Sequence, residues 1–181
     1  MNTNTPVIFA DGTAFYNELS KDYVKHPRGL FILAPSGTGK TYYVKNQIQK
    51  DWIDGDYLWP LSGADNSGEE WGDDAAIIEI INIRSDIITN QATKLGFWII
   101  GSSNSNLRPD AIVLPPWRTH LSYIKIREST LYDGGATSKD IQGVRKHRKI
   151  ISKWKRKGVP CFKSIEEAVA KLSADTYPHS T

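Results

Sequence analysis

Apolar positions along the chain fall into two patterns. Solid apolar runs occupy 30–33, 95–103 and 110–116, each bounded by glycine, proline or small polar residues. Runs this short and this apolar predict strands buried on both faces. A further run over 52–60 mixes tryptophan, isoleucine and leucine with aspartate and reads as a second core strand. Cys161-Phe162-Lys163 supplies a fifth, and Phe9 begins a short one near the start. Elsewhere the spacing is helical. Phe15, Leu19 and Tyr23 stand at four-residue steps over 13–25, and Tyr43, Val44, Ile48 and Trp52 share one face of 42–52. Asp73 or Asp74 caps a helix over 75–90 that turns Ile77, Ile80, Ile81, Ile87 and Ile88 inward, although its β-branched richness also suits a strand over part of that length. A helix over 117–130 carries Leu121 and Ile124. Another, capped by Thr137 or Ser138, runs to Lys157 with Ile141, Val144, Ile151 and Trp154 on its apolar face. Ser164-Ile165-Glu166-Glu167 is a capping box that opens a last helix through Leu172.

Strands alternating with helices predict one α/β domain. Its centre is a parallel sheet of about five strands with helices on both faces, and its site lies at the carboxyl ends of the strands. The domain is expected over 29–173. An N-terminal helical extension, 1–28, packs on the core, and the chain frays from Ser173, leaving 174–181 as a tail.

With 181 residues the chain can bury one real core and has too few for two comfortable ones. Hydrophobic content of 39% and charged content of 24% are those of an ordinary soluble domain. No apolar run is long enough for a bilayer and residues 1–5 carry no leader pattern, so a cytoplasmic location with no membrane partner is expected. Cys161 is the one cysteine, which excludes an internal disulfide and a cysteine-based zinc site; a buried strand position is expected for it. Charge is unevenly spread. No Lys or Arg occurs over 51–83, which holds Asp54, Asp56, Asp65, Glu69, Glu70, Asp73 and Asp74, whereas 139–157 is dense in both. A site that joins anionic phosphates to Mg²⁺ can use both signs.

Residues 34–41, Ala-Pro-Ser-Gly-Thr-Gly-Lys-Thr, follow the 30–33 strand directly and precede a helical segment. Strand, glycine-bearing loop, Gly-Lys-Thr and helix form the phosphate-binding P-loop (Walker A) signature. The backbone N–H groups of Ser36, Gly37, Thr38 and Gly39 can turn inward around a β-phosphate. Lys40 reaches the β/γ oxygens, and the Thr41 hydroxyl is the expected Mg²⁺ ligand. Ala34 stands where the usual pattern has its first glycine; that position ends the strand and is the most forgiving of the three.

The string Asp54-Gly55-Asp56-Tyr57-Leu58-Trp59-Pro60, about one helix past Lys40, resembles the second-strand motif of P-loop small-molecule kinases of the gluconate kinase and adenylylsulfate kinase group. That resemblance implies a carboxylate that orients or deprotonates an acceptor hydroxyl, with Asp56 the first choice and Asp54 the second; the alternative is that Asp54-Gly55 is simply a turn. The loop over 61–74 then stands where the group has its acceptor-binding flap. The strand over 95–103 ends Gly101-Ser102-Ser103, as gluconate-kinase-like sequences end in small polar residues, which argues against an ATPase motor. From the glycine-bearing loop at 131–137 onward the chain is similar to nucleoside-monophosphate kinases. That similarity implies a lid and assigns Arg127, Arg145 and Arg148 to the transferred phosphoryl group, whose planar oxygens suit the guanidinium fork. Gly134-Gly135 replaces the acidic pair of the larger enzymes. Arg84 is the matching candidate for an acceptor phosphate, or else a solvated surface arginine.

Three functional classes remain open. The first is a Mg-ATP phosphotransferase acting on a small acceptor, with a nucleoside or nucleotide satisfying both halves of the resemblance. The second is a kinase of nucleic acid, acting on a 5′ hydroxyl or a hydroxymethylated base, with the basic 139–157 helix and Trp154 tracking the backbone. Against it, that helix face is also what a solvated surface looks like. The third is a non-catalytic nucleotide-binding protein.

Overall fold

The structure, a computed structural model, describes residues 7–8, 14–15, 19–61, 75–130 and 136–177. Its centre is a five-stranded parallel sheet in the order β4-β5-β3-β6-β7, built from β3 (Leu30–Leu33), β4 (Trp52–Asp54), β5 (Trp98–Gly101), β6 (Ala111–Val113) and β7 (Cys161–Phe162). β3 lies in the middle, with Ile32 opposite both Ile100 and Ala111. The period of two sorts the strand residues cleanly. Phe31, Leu33, Ile53, Ile99 and Ile112 face one core, which holds Leu58 of α3 (Gly55–Leu61), Ile88 and Ala92 of α4 (Ala75–Lys94), and Ile151 and Trp154 of α6 (Ile141–Arg156). Leu30, Ile32, Trp52, Trp98, Ile100, Ala111 and Val113 face the other. There they meet Tyr43 and Val44 of α2 (Lys40–Asn46) and Ile165, Ala168 and Leu172 of α7 (Ile165–Thr176). Helices therefore cover both faces, and each fully buried leucine or isoleucine contributes roughly 1.5–3 kcal/mol. The short strand runs are apolar throughout because both of their faces are inside.

Several boundaries differ from the sequence reading. No helix spans 13–25. Val7–Ile8 (β1) pairs antiparallel with Ala14–Phe15 (β2), and among the described residues of that stretch the helix is Leu19–Asp22 (α1). Leu19 still reaches the core and Tyr23 packs beside it, so the four-residue step survives only in its last interval; Phe9 is outside the described residues. α2 stops at Asn46, six residues before the expected end. Gln47 turns extended, and its side-chain amide binds both backbone groups of Trp52, donating to the carbonyl at 2.6 Å and accepting from the N–H at 2.9 Å. Ile48 is thereby left in solvent, while Trp52 starts a strand and is buried. That strand ends at Asp54 rather than running on to 60, since the next seven residues form α3. The 75–90 segment is helical throughout and continues to Lys94. Ile88 is fully buried, but Ile80 is 52% exposed rather than inward; the Ile77 and Ile81 side chains are outside the described residues, as are the expected flap and the glycines of the lid.

At the C-terminal end, Ser164 caps α7 by accepting the Glu167 N–H at 3.2 Å, while the Glu167 carboxylate takes the N–H of Lys163, one residue earlier than a capping box requires. The helix does not fray at Ser173 but continues to Thr176. Tyr177 then donates or accepts at His26 Nδ1, 2.8 Å away, and His26 stacks on Trp98 with ring centroids 3.6 Å apart. Cys161 is exposed, not buried, because β7 is an edge strand with one neighbour. Among the described residues no helix is long and apolar enough to cross a membrane.

Candidate functional site at the carboxyl end of β3

The central strand β3 delivers residues 34–40 to the carboxyl edge of the sheet. Ala34 is fully buried, and its N–H donates to the Gly101 carbonyl at 2.9 Å, so the position that departs from the usual glycine is a strand position here. Two residues of the loop need left-handed backbone, and both are glycine: Gly37 at φ 81° and Gly39 at φ 92°. The Thr38 hydroxyl donates to the Pro35 carbonyl at 2.8 Å and braces the turn between them. Lys40, only 5% exposed, follows at the start of α2. It stands close enough to Asp54, His120 and His147 to bias the titration of all three.

Thr41 and the end of β4 meet beside it. The Thr41 hydroxyl donates to Asp54 Oδ2 at 2.6 Å, and Asp54 Oδ1 accepts the Asp56 N–H at 3.1 Å. Asp54 is 8% exposed. Burial first, and then the charge of Asp56, push its carboxyl above the usual carboxylate range, against the pull of Lys40 and the two hydrogen bonds. Asp56 is on the first turn of α3 and exposed; the Ser102 hydroxyl donates to its Oδ1 at 3.3 Å. Asp54 is thus the carboxylate facing Thr41, while Asp56 lies outward beside Ser102. The reason is that the strand ends one residue before Gly55. A side chain there would bring Cβ within 2.7 Å of Gly101 Cα, so only glycine lets α3 turn away so tightly against β5.

A hydroxyl and carboxylates are hard oxygen donors, the set that suits Mg²⁺, which is commonly held by one or two carboxylates together with phosphate oxygens and water. Among the described residues no three His, Cys, Asp or Glu side chains converge as a cage.

The far side of the loop is formed by α5 (Trp117–Ser129) and α6. His120 is completely buried: Nε2 lies 2.8 Å from the Ser36 carbonyl, and Nδ1 lies 2.8 Å from an Arg148 nitrogen. Arg148 also donates to the Pro115 carbonyl at 2.7 Å and lies over the Trp117 ring, 5.7 Å from its centroid. Arg145, exposed, stacks nearer on that ring at 4.9 Å. The predicted arginines therefore separate: Arg145 retains an exposed position, whereas Arg148 is engaged inside the fold. Arg127 is in the last turn of α5 and Arg84 midway along α4, both half-buried. His147 donates from Nε2 to the Ser102 carbonyl, 2.9 Å away, and burial lowers its pKa.

His120, His147, Trp117 and Ser102 were not singled out by sequence. The available signal is the spacing of Trp117, His120 and Ile124, which places one polar residue in an otherwise inward stripe. No family model and no curated protein matches this chain, so what the site does is argued from its own residues.

Proposed function

We propose that the chain is a Mg-ATP-dependent phosphotransferase, a P-loop kinase, that moves the γ-phosphoryl group to a small acceptor, a nucleoside or nucleotide. The observation that carries the reading is the 2.6 Å contact between the Thr41 hydroxyl and Asp54, next to a buried Lys40 and a loop with two left-handed glycines. A buried ammonium is costly without an anion, and the triphosphate supplies one. In this reading the amides of 36–39 and Lys40 hold the phosphates, and Thr41 and Asp54 hold Mg²⁺. The bound metal would neutralise charge on the β- and γ-oxygens. Asp56, exposed and steadied by Ser102, is the group to align the acceptor hydroxyl and accept its proton. Arg145 is the better placed of the two α6 arginines to meet the transferred group.

A second reading, a nucleic-acid acceptor, draws on the outer face of α6. Lys146, Lys149, Lys153, Arg156 and Lys157 are all exposed and recur at three- and four-residue steps. Trp154 does not belong to that surface, since it is 8% exposed in the core; the stripe offers charge without a stacking platform.

The test is transfer of label from γ-labelled ATP to separate pools of nucleosides, nucleoside monophosphates, sugars and hydroxy acids, and DNA, with Lys40→Ala as the control. Label in the nucleoside or nucleotide pool, lost in the variant, is expected. Label in DNA alone moves the second reading to the front. ATP binding without transfer to any pool leaves a nucleotide-binding protein and rejects the kinase.

A further inference from the structure

At the peptide joining Ser36 to Gly37, a side chain from elsewhere in the fold grips the loop backbone. A trans peptide is rigid, with its C=O and N–H pointing to opposite sides. The Ser36 carbonyl points down to His120 Nε2 at 2.8 Å. The Gly37 N–H therefore points the other way, to the side where a loop of this kind receives phosphate oxygens. A carbonyl turned the other way would present negative partial charge to the phosphate.

The bonding of the imidazole is fully determined. Arg148 has only donors to offer, so His120 Nδ1 accepts from it at 2.8 Å and the ring proton must sit on Nε2, facing Ser36. Arg148 is itself fixed, by its bond to the Pro115 carbonyl and by Trp117 beneath it. Trp117 also meets the His120 ring edge-on at 6.1 Å. The loop lies directly on this support: a Cβ at Gly37 would stand 2.6 Å from Ile124 and 3.3 Å from His120 Nε2. The Ser36 hydroxyl accepts the Ala136 N–H at 3.3 Å, tying the same residue to the segment before α6.

We propose that His120 is a positioning residue for nucleotide binding: as the neutral, Nε2-protonated imidazole it orients the Ser36–Gly37 peptide so that the loop presents an N–H to phosphate. The proposal rests on the reading of residues 34–41 as a phosphate-binding loop.

The groups around the ring make the neutral form the stable one. Arg148 and His147 face it from α6 and Lys40 from α2, and α5 contributes Trp117 and Ile124; none of these is a carboxylate. Burial, and then the charges of Arg148, Lys40 and His147, hold the His120 pKa below the ordinary histidine value, opposed by the bond to Ser36. A second ring proton would set two donors, Nδ1–H and Arg148, against each other. Acid should therefore weaken nucleotide binding as pH falls below the ordinary histidine range.

The experiment titrates Mg-ATP into the full chain by calorimetry between pH 5 and pH 8, for wild type, His120→Gln and His120→Ala. A glutamine amide can donate to Ser36 and accept from Arg148, and it does not titrate. Loss of the one hydrogen bond predicts about tenfold weaker binding for His120→Ala at pH 8. His120→Gln should bind within about threefold of wild type at pH 8 and show a smaller fall in affinity with acid than wild type, the remainder coming from groups such as Asp54 and His147. Acid weakening as large in His120→Gln as in wild type, or His120→Ala binding like wild type, overturns the proposal. A second measurement does not depend on ATP: ¹⁵N spectra of the histidine rings in the free protein. His120, identified as the imidazole whose signals vanish in His120→Gln, should show a protonated Nε2, a bare Nδ1 and a depressed pKa, a signature His147 shares through its own bond to the Ser102 carbonyl. A His120 signal in the Nδ1-protonated form overturns the proposal even if no nucleotide binds. Absence of ATP binding by every variant, with the expected ring signal, instead rejects the phosphate-loop reading on which the proposal stands and the proposal with it.

Discussion

Gly37 and Gly39 have nearly the same backbone, φ 81° and 92°, but opposite surroundings. A Cβ on Gly37 would lie 2.6 Å from Ile124 Cγ1, whereas a Cβ on Gly39 would meet nothing within 4 Å. Alanine at either position meets the left-handed penalty, about 1–2 kcal/mol. Both variants recover roughly 0.4–1 kcal/mol because alanine restricts the unfolded chain. Only Gly37→Ala adds the strain of inserting a methyl group into a packed contact, about 1–3 kcal/mol. Ile124 has no room to yield, being fully buried at the foot of the loop. Gly39→Ala should therefore cost about 1 kcal/mol or less and Gly37→Ala about 2 kcal/mol more. Urea unfolding followed by tryptophan fluorescence measures both. With a slope of roughly 2 kcal/mol/M, the difference between the variants is about 1 M in midpoint. Equal midpoints would refute the reasoning, because they would mean that the loop does not rest on α5. The same contact shifts His120, so Gly37→Ala should also disturb its ring signals while Gly39→Ala leaves them unchanged.

Asp54→Asn removes the buried charge but keeps only one of the two acceptors that Thr41 and the Asp56 N–H use, so label transfer should fall on the order of 10²-fold or more, while the metal-free variant should lose less stability than wild type between pH 4 and pH 8. The sign follows from the raised carboxyl pKa: the Asp54 contribution is greatest below the unfolded carboxylate pKa and is lost as pH rises through the folded one, whereas the asparagine variant lacks that loss. Urea midpoints at pH 4 and pH 8 check it, and an equal change in the two proteins contradicts it. Tyr177→Phe removes the hydroxyl paired with His26 Nδ1 and should lower stability by about 1 kcal/mol without affecting transfer; unchanged stability would show that the end of α7 is not fastened there. Cys161, exposed on the edge strand but with its thiol pKa pushed up by burial of part of the residue, should react with a disulfide reagent in the folded protein, and more slowly than free cysteine at pH 8. Reaction only after unfolding would contradict its exposure.

The inner strands β3, β5 and β6 were legible because they are buried on both faces, so nearly every residue from Leu30 to Leu33 and from Trp98 to Gly101 had to be apolar or small. The end of α2 was not, because what ends it is the pairing of the Gln47 side chain with the Trp52 backbone, and no propensity of residues 47–52 announces that bond. The N-terminal segment misled for a related reason. Phe15, Leu19 and Tyr23 share a helical spacing, but Ala14–Phe15 finds a strand partner in Val7–Ile8, and pairing across a chain reversal leaves no trace in a four-residue period.

The site divides along the same line. Ser36 to Thr41 are contiguous, and their spacing alone is enough to suggest a phosphate-binding loop. Asp54 and Asp56 were legible as a pair, but their orientation was not. Which of them faces Thr41 depends on where β4 stops, and that is decided by Gly55 lying against Gly101, a contact between strands. The support under the loop is more distant still: His120 stands 84 residues from Ser36 and 28 from Arg148. The resemblance that assigned Arg148 to a transferred phosphoryl group carried no information on what that turn of the helix packs against. In this fold one turn of that helix faces Trp117 and His120, and an arginine there is drawn inward because a neutral imidazole, a carbonyl and an aromatic face together replace the water it leaves. Arg145, three residues earlier, shares the ring but not the carbonyl or the imidazole, which is why it stays at the surface and available to an anion.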